Sequence, residues 1–144
     1  MAAPNELKIV DFEVVNEPWN EYKLADGSTL RVKVVLVNVI NEDGGFSFEA
    51  KNVIGVTPNP DFIGLPSGLL KPGETLESYV EEEDLKILEK TEYWNEYKLP
   101  SEKTRLTLKG VPVIVSRTSR RDPKGIPIYT ANVQLLIKPK KEKN

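Results

Sequence analysis

Neither cysteine nor histidine occurs anywhere in the 144 residues. Their absence excludes disulfides, thiolate nucleophiles, iron–sulfur clusters and zinc sites of the Cys/His type. The Ser-His-Asp and Cys-His triads go with them. Catalysis would rest on Asp, Glu, Lys or Tyr alone, and these residues form no catalytic, metal-binding or cofactor-binding motif. Long hydrophobic runs are also missing: none approaches the ~18 residues that span a bilayer. The opening MAAPNELKIV lacks the basic and apolar regions of a secretion signal. A soluble, cytoplasmic protein with no cofactor, no membrane partner and no enzymatic activity is therefore expected. Methionine and glutamine are scarce while Lys and Glu abound, the direction taken by thermophile proteins; ten asparagines weigh the other way.

What the chain does contain is 39% hydrophobic and 29% charged residues, enough apolar material for a core and too much for a disordered chain. It also repeats itself. Trp19-Asn20-Glu21-Tyr22-Lys23-Leu24 recurs as Trp94-Asn95-Glu96-Tyr97-Lys98-Leu99. Leu7-Lys8-Ile9-Val10 aligns with Leu85-Lys86-Ile87-Leu88, and Leu30, Val32 and Lys33 with Leu106, Leu108 and Lys109. Gly45, Phe46, Phe48, Asn52 and Val53 align with Gly125, Ile126, Ile128, Asn132 and Val133. These matches divide one domain, 1–144, into a first copy at 6–56, a connecting arm at 57–83, a second copy at 84–137 and a basic tail at 138–144.

Each copy reads as a meander of strands. Leu30 to Ile40 is too rich in Val and Leu for a good helix. Ala25-Asp26-Gly27-Ser28 is a hairpin signal. Asn41-Glu42-Asp43-Gly44-Gly45 and Arg120-Arg121-Asp122-Pro123-Lys124-Gly125 are turns with glycines for positive φ. Phe46, Phe48 and Ala50 alternate with polar residues at strand period. Leu85 to Leu88 is read as a strand against a competing helix over 76–84, where Ser78 and Glu81 have capping-box spacing. A unit of about fifty residues buries too little surface to stand alone. The expected fold is all-β, with the two copies sharing one core as a pseudo-twofold barrel or sandwich; two tandem mini-barrels are the alternative.

The arm holds four prolines and three glycines over 57–75, which bar regular structure, yet Phe62, Ile63, Leu65, Leu69 and Leu70 are apolar. It either wraps its own barrel or docks on a partner. Charge is split: residues 1–85 carry six cations and sixteen anions, residues 86–144 fourteen and six. Opposed poles can orient protein association, or Arg117, Arg120, Arg121 and Lys124, with Lys138, Lys140, Lys141 and Lys143, can contact phosphates. The repeated aromatics have two readings, a stacking platform or core anchors. Trp19, Tyr22, Trp94 and Tyr97 are assigned to the core, because large aromatics at strand starts pack. Glu21 and Glu96 are read as solvent-facing rather than as a carboxylate pair. Asn41–Gly45 lacks the spacing of an EF-hand, and Glu81–Asp84 reads as a solvated acidic face. The function expected is a non-catalytic assembly or accessory subunit working through protein–protein contacts with a partner or with copies of itself. The alternative is a nucleic-acid-binding small barrel using the basic half.

Overall fold

A computed structural model of the chain describes residues 8–42 and 44–142. The expected starting residues Glu6 and Leu7, Asp43 of the second turn, and Lys143 of the tail lie outside the described residues. Among the described residues ten strands follow one another: β1 (Lys8–Val10), β2 (Glu13–Asn16), β3 (Asn20–Leu24), β4 (Thr29–Glu42), β5 (Gly45–Thr57), β6 (Val80–Glu82), β7 (Ile87–Thr91), β8 (Asn95–Leu99), β9 (Thr104–Arg121) and β10 (Pro127–Lys141). No helix among the described residues is long and apolar enough to cross a membrane.

The strands form two antiparallel five-stranded sheets. In the first, β4 pairs with β5 along one side; along its other side it takes β3 near its start and β1 near its end. In the second, β9 pairs with β10 along one side, with β8 near its start and β6 near its end. The fifth strand of each sheet comes from the other half of the chain: β7 pairs with β3, and β2 pairs with β8. No ladder among the described residues joins the sheets, so the barrel option is corrected: these are two separate sheets lying face to face.

Both long strands alternate side chains in and out over most of their length; the β4–β5 ladder has one irregularity and the β9–β10 ladder two. Leu30, Val32, Val34 and Leu36 of β4 point inward; a bulge at Val37 resets the phase so that Val39 is buried. Leu106 and Leu108 of β9 do the same, and a bulge at Val113 resets the phase for Val115. Such an extra residue bends a strand and increases its twist, which lets strands of 14 and 18 residues curl around one interior. Two apolar clusters fill that interior, and each draws on both sheets. Val10, Val34, Leu36 and Val39 meet Tyr97, Leu99, Leu106 and Leu108 in one. Tyr22, Leu24, Leu30 and Val32 meet Leu85 and Val115 in the other. At Gly110 the sheets come so close that a Cβ would lie 2.5 Å from Val34 Cγ2.

The register fixes the neighbours of several of the residues singled out above. Val10 pairs with Val39, and the Leu85 amide bonds the Val115 carbonyl. Phe46 lies across from Asn41 and Tyr129 across from Arg117. The contest over 76–88 resolves into both structures, displaced. A short 3-10 turn covers Leu76–Tyr79, Asp84 adopts a left-handed φ of 46°, and the strand begins only at Ile87. Ser78 lies inside that turn, its hydroxyl bonded to the Thr75 carbonyl, so it caps nothing with Glu81. The basic tail is not a tail through Lys141: those residues continue β10.

Candidate interaction surfaces

The repeated hexapeptides lie on β3 and β8, where strand period divides them. Asn20, Tyr22 and Leu24 face inward with exposure below 5%, as do Asn95, Tyr97 and Leu99. The Trp side chains fall in the opposite phase. Trp19 is 43% exposed, with the Lys33 ammonium 5.8 Å from its ring; Trp94 is half-buried, with Lys109 and Lys138 each at 4.8 Å. The core-anchor assignment therefore stands corrected for Trp19 and Trp94, which lie outside over lysines, while Tyr22 and Tyr97 are in the core. Glu21 is exposed and paired with Arg31 at 3.0 Å; Glu96 is exposed on the other sheet.

The two buried tyrosines reach across the molecule. Tyr97 donates to Glu17 Oε2 at 2.7 Å, and Tyr22 donates to Glu92 Oε2 at 2.7 Å. Glu17 and Glu92 sit in the loops just before β3 and β8, so each hydroxyl is met by an acid from the opposite half. Burial, then the adjoining carboxylate, pushes both phenols well above the ordinary tyrosine range. A third site is asymmetric. Asp26, in the β3–β4 turn, accepts from Tyr129 at 2.7 Å and from Arg117 at 2.9 Å. Burial alone would raise the Asp26 carboxyl, but hydrogen bonds from Tyr129, Ser28 and Arg117 outweigh it and hold the group below its usual value. Burial pushes Tyr129 up to about 12.

Arg117 is accordingly not available to a phosphate. Only 7% of its side chain is exposed, and it pairs with Asp26 and with Glu82 at 3.2 Å. Its plane lies 3.8 Å from the Phe62 ring centroid, and its Nε, 3.7 Å from Glu81, has no hydrogen bond. Glu81 and Glu82 are thus partly engaged rather than a purely solvated face. Arg120 and Arg121 also turn inward on the chain. Arg120 stacks on Tyr79 at 4.9 Å and donates to Gly68 O; Arg121 Nε donates to Phe62 O at 2.8 Å. Lys124 stands exposed at the hairpin tip. The expected single basic cluster is split in two, because Lys138, Lys140 and Lys141 lie at the far end of β10.

Those three lysines join residues that composition alone did not single out. With Lys98 and Arg105 they line an open cleft of about 810 Å³ on the outer face of the second sheet. Glu96 and Glu142 are its acidic members, and Glu142 lies 3.5 Å from Arg105. Lys98 and Arg105 were visible only through register: Lys98 lies across from Arg105, and Arg105 across from Lys140.

The arm does lie on its own fold. Gly64 N bonds Gly125 O at 3.0 Å, Ser67 N bonds Arg121 O at 3.2 Å, and Arg121 N bonds Ser67 Oγ at 2.8 Å. Gly125 has a φ of 84°, and a Cβ there would lie 2.2 Å from Gly64 O, so this docking requires glycine. Phe62 is half-buried under Arg117, but Ile63 is 50%, Leu65 86%, Leu69 95% and Leu70 36% exposed. Beside them a cleft of about 820 Å³ is lined by Pro66, Leu69, Leu70, Leu76, Pro123 and Ile128, with Arg120 and Arg121 at its rim. Among the described residues no group of three or more acidic side chains is arranged to hold a metal ion. Comparison with protein-family models, with characterised proteins and with solved structures returned no match.

Proposed function

We propose that the chain is a non-catalytic assembly subunit that works through protein–protein contacts, with the arm as its docking element. One observation carries this reading: Leu65 and Leu69 are almost fully exposed on an irregular segment that five hydrogen bonds tie to the β9–β10 hairpin. Leaving a leucine in water forfeits about 1.5–3 kcal/mol relative to burying it. Here the backbone is fixed by other groups, so the leucines remain presented rather than folded away. An apolar recess adjoins them. A projection and a recess on one face suit an isologous pair, in which each copy's projection enters the other's recess, and a second copy is the partner proposed.

The reading extends to the build of the molecule. We infer that two copies of one unit of about fifty residues were joined and that each donates a strand to the other's sheet. Three features support this: the reciprocal pairings β2–β8 and β3–β7, the crossed bonds Tyr22–Glu92 and Tyr97–Glu17, and bulges at the matched residues Val37 and Val113. Where the matched positions Val34 and Gly110 meet, only one carries a side chain, since two would overlap.

Sedimentation equilibrium tests the docking reading. The protein is expected at twice 16.2 kDa or above, and Leu65→Asp with Leu69→Asp is expected to return it to the single-chain mass with an unchanged circular-dichroism spectrum. A wild-type protein that stays at the single-chain mass up to about 0.1 mM, where an interface worth roughly −5.5 kcal/mol would be half filled, would refute self-docking.

A further inference from the structure

We infer that the outer face of the second sheet binds a single-stranded nucleic acid through its phosphates. The starting point is a row of side chains that ought to cost stability. Register sets Glu13, Lys98, Arg105 and Lys140 side by side across β2, β8, β9 and β10. Like charges directly opposite on neighbouring strands repel, and this row has two such contacts in succession, Lys98–Arg105 and Arg105–Lys140.

The first sheet provides an internal control. Its matching row reads Glu89, Lys23, Thr29 and Thr57. The acid and the first lysine are the same in kind, and Lys23 lies 3.9 Å from Glu89. The two sheets differ where threonines stand in one and Arg105 and Lys140 in the other. Within the fold Arg105 is met by the half-exposed Glu142 at 3.5 Å, a surface pair worth at most about 1 kcal/mol, so the row keeps an excess of positive charge for something outside the fold. Lys138 and Lys141 extend the row within the same cleft.

The chemistry of the face selects the ligand. The outward side chains lining the cleft, Glu96, Lys98, Arg105, Thr107, Lys138 and Lys140, are charged or hydroxylic. A protein partner would want a centre of apolar side chains open to it; the apolar residues of this cleft, Tyr97 and Leu106, belong to the core and are 1% and 0% exposed. Nucleic-acid interfaces are instead polar and strongly positive, and Arg offers a fork for phosphate oxygens. The row is about 10 Å from Lys98 to Lys140 at the usual strand spacing, room for one phosphodiester strand.

The test is fluorescence anisotropy with a labelled single-stranded oligonucleotide of about 20 residues at about 50 mM salt. Binding is expected, with a slope of log K against log salt of about −3.5 for five cations, at about −0.7 each on single strands. Arg105→Thr with Lys140→Thr, which installs the first sheet's residues, should weaken binding at least tenfold and make the slope shallower by about 1.4. Its melting temperature should equal or exceed that of the wild type, so lost binding cannot be ascribed to misfolding. Lys71→Thr with Lys124→Thr removes the same charge from exposed positions elsewhere and should change affinity less than twofold. The inference is overturned by no binding at low salt, by equal losses in the two variants, by tighter binding of a duplex, or by polyglutamate binding as well as the oligonucleotide.

Discussion

Replacing Arg117 by methionine isolates the largest electrostatic commitment in the fold. The guanidinium is held by Asp26 at 2.9 Å and Glu82 at 3.2 Å, with side-chain exposures of 7% for Arg117 and 2% for Asp26. Methionine fills similar volume above Phe62 but leaves the Asp26 carboxylate buried without its cation. Breaking a buried pair from one side costs about 3–5 kcal/mol, a large share of a total stability of about 5–15 kcal/mol. At roughly 2–4 °C per kcal/mol for a chain of this size, the melting temperature should fall by roughly 10 °C. Asp26→Asn combined with Arg117→Met should recover part of the loss, because no buried charge is then stranded. The acid limb provides a sign check. Asp26 has a depressed folded-state pKa, so its stabilisation is present above the ordinary aspartate range and fades as pH falls through the lower folded value. The gap between wild type and Arg117→Met should narrow there. Urea and thermal melts of the four proteins of this cycle give the answer. A single-variant loss below about 1 kcal/mol, the worth of an exposed pair, would refute the reasoning.

Two other expectations concern the interior. Tyr22, Tyr97 and Tyr129 all have raised folded-state pKa values, so each contributes stability that is intact below about pH 10 and is lost as pH rises toward the folded value. Three such groups should lower stability by roughly 4 kcal/mol per pH unit above that point; absorbance at 295 nm should show them ionising together with unfolding, and independent titration near pH 10 would contradict this. Gly110→Ala places a methyl against Val34 and Val133 at 2.5 and 2.9 Å. It should cost about 1–3 kcal/mol by overpacking, measured by urea denaturation, and a neutral result would mean that the sheets can separate there freely.

Much of the fold was legible because strand chemistry is local. The Val-rich run of β4, the Asp26-Gly27 hairpin and the 122–125 turn each carry their own signal. The pairing of β2 with β8 and of β7 with β3 was not legible, since identical hexapeptides do not report which strands lie beside them. The misassigned tryptophans were readable in principle: in Trp-Asn-Glu-Tyr-Lys-Leu, period two places Trp with Glu and Lys, and Tyr with Leu. Arg117 gave no such sign, because its partner Asp26 is 91 residues away and only tertiary structure joins them. The cation row was hidden for a similar reason: Lys98, Arg105 and Lys140 become neighbours only once three strands adopt a register.

The claim on which both surfaces depend is that neither half of the chain has a complete sheet or a complete core of its own. Fragments 1–68 and 69–144, divided within the exposed arm, test it by far-ultraviolet circular dichroism and thermal melting. Each fragment alone should lack a cooperative β melt, and mixing them should restore one with a native-like midpoint. A fragment that folded and melted cooperatively in isolation would contradict the account.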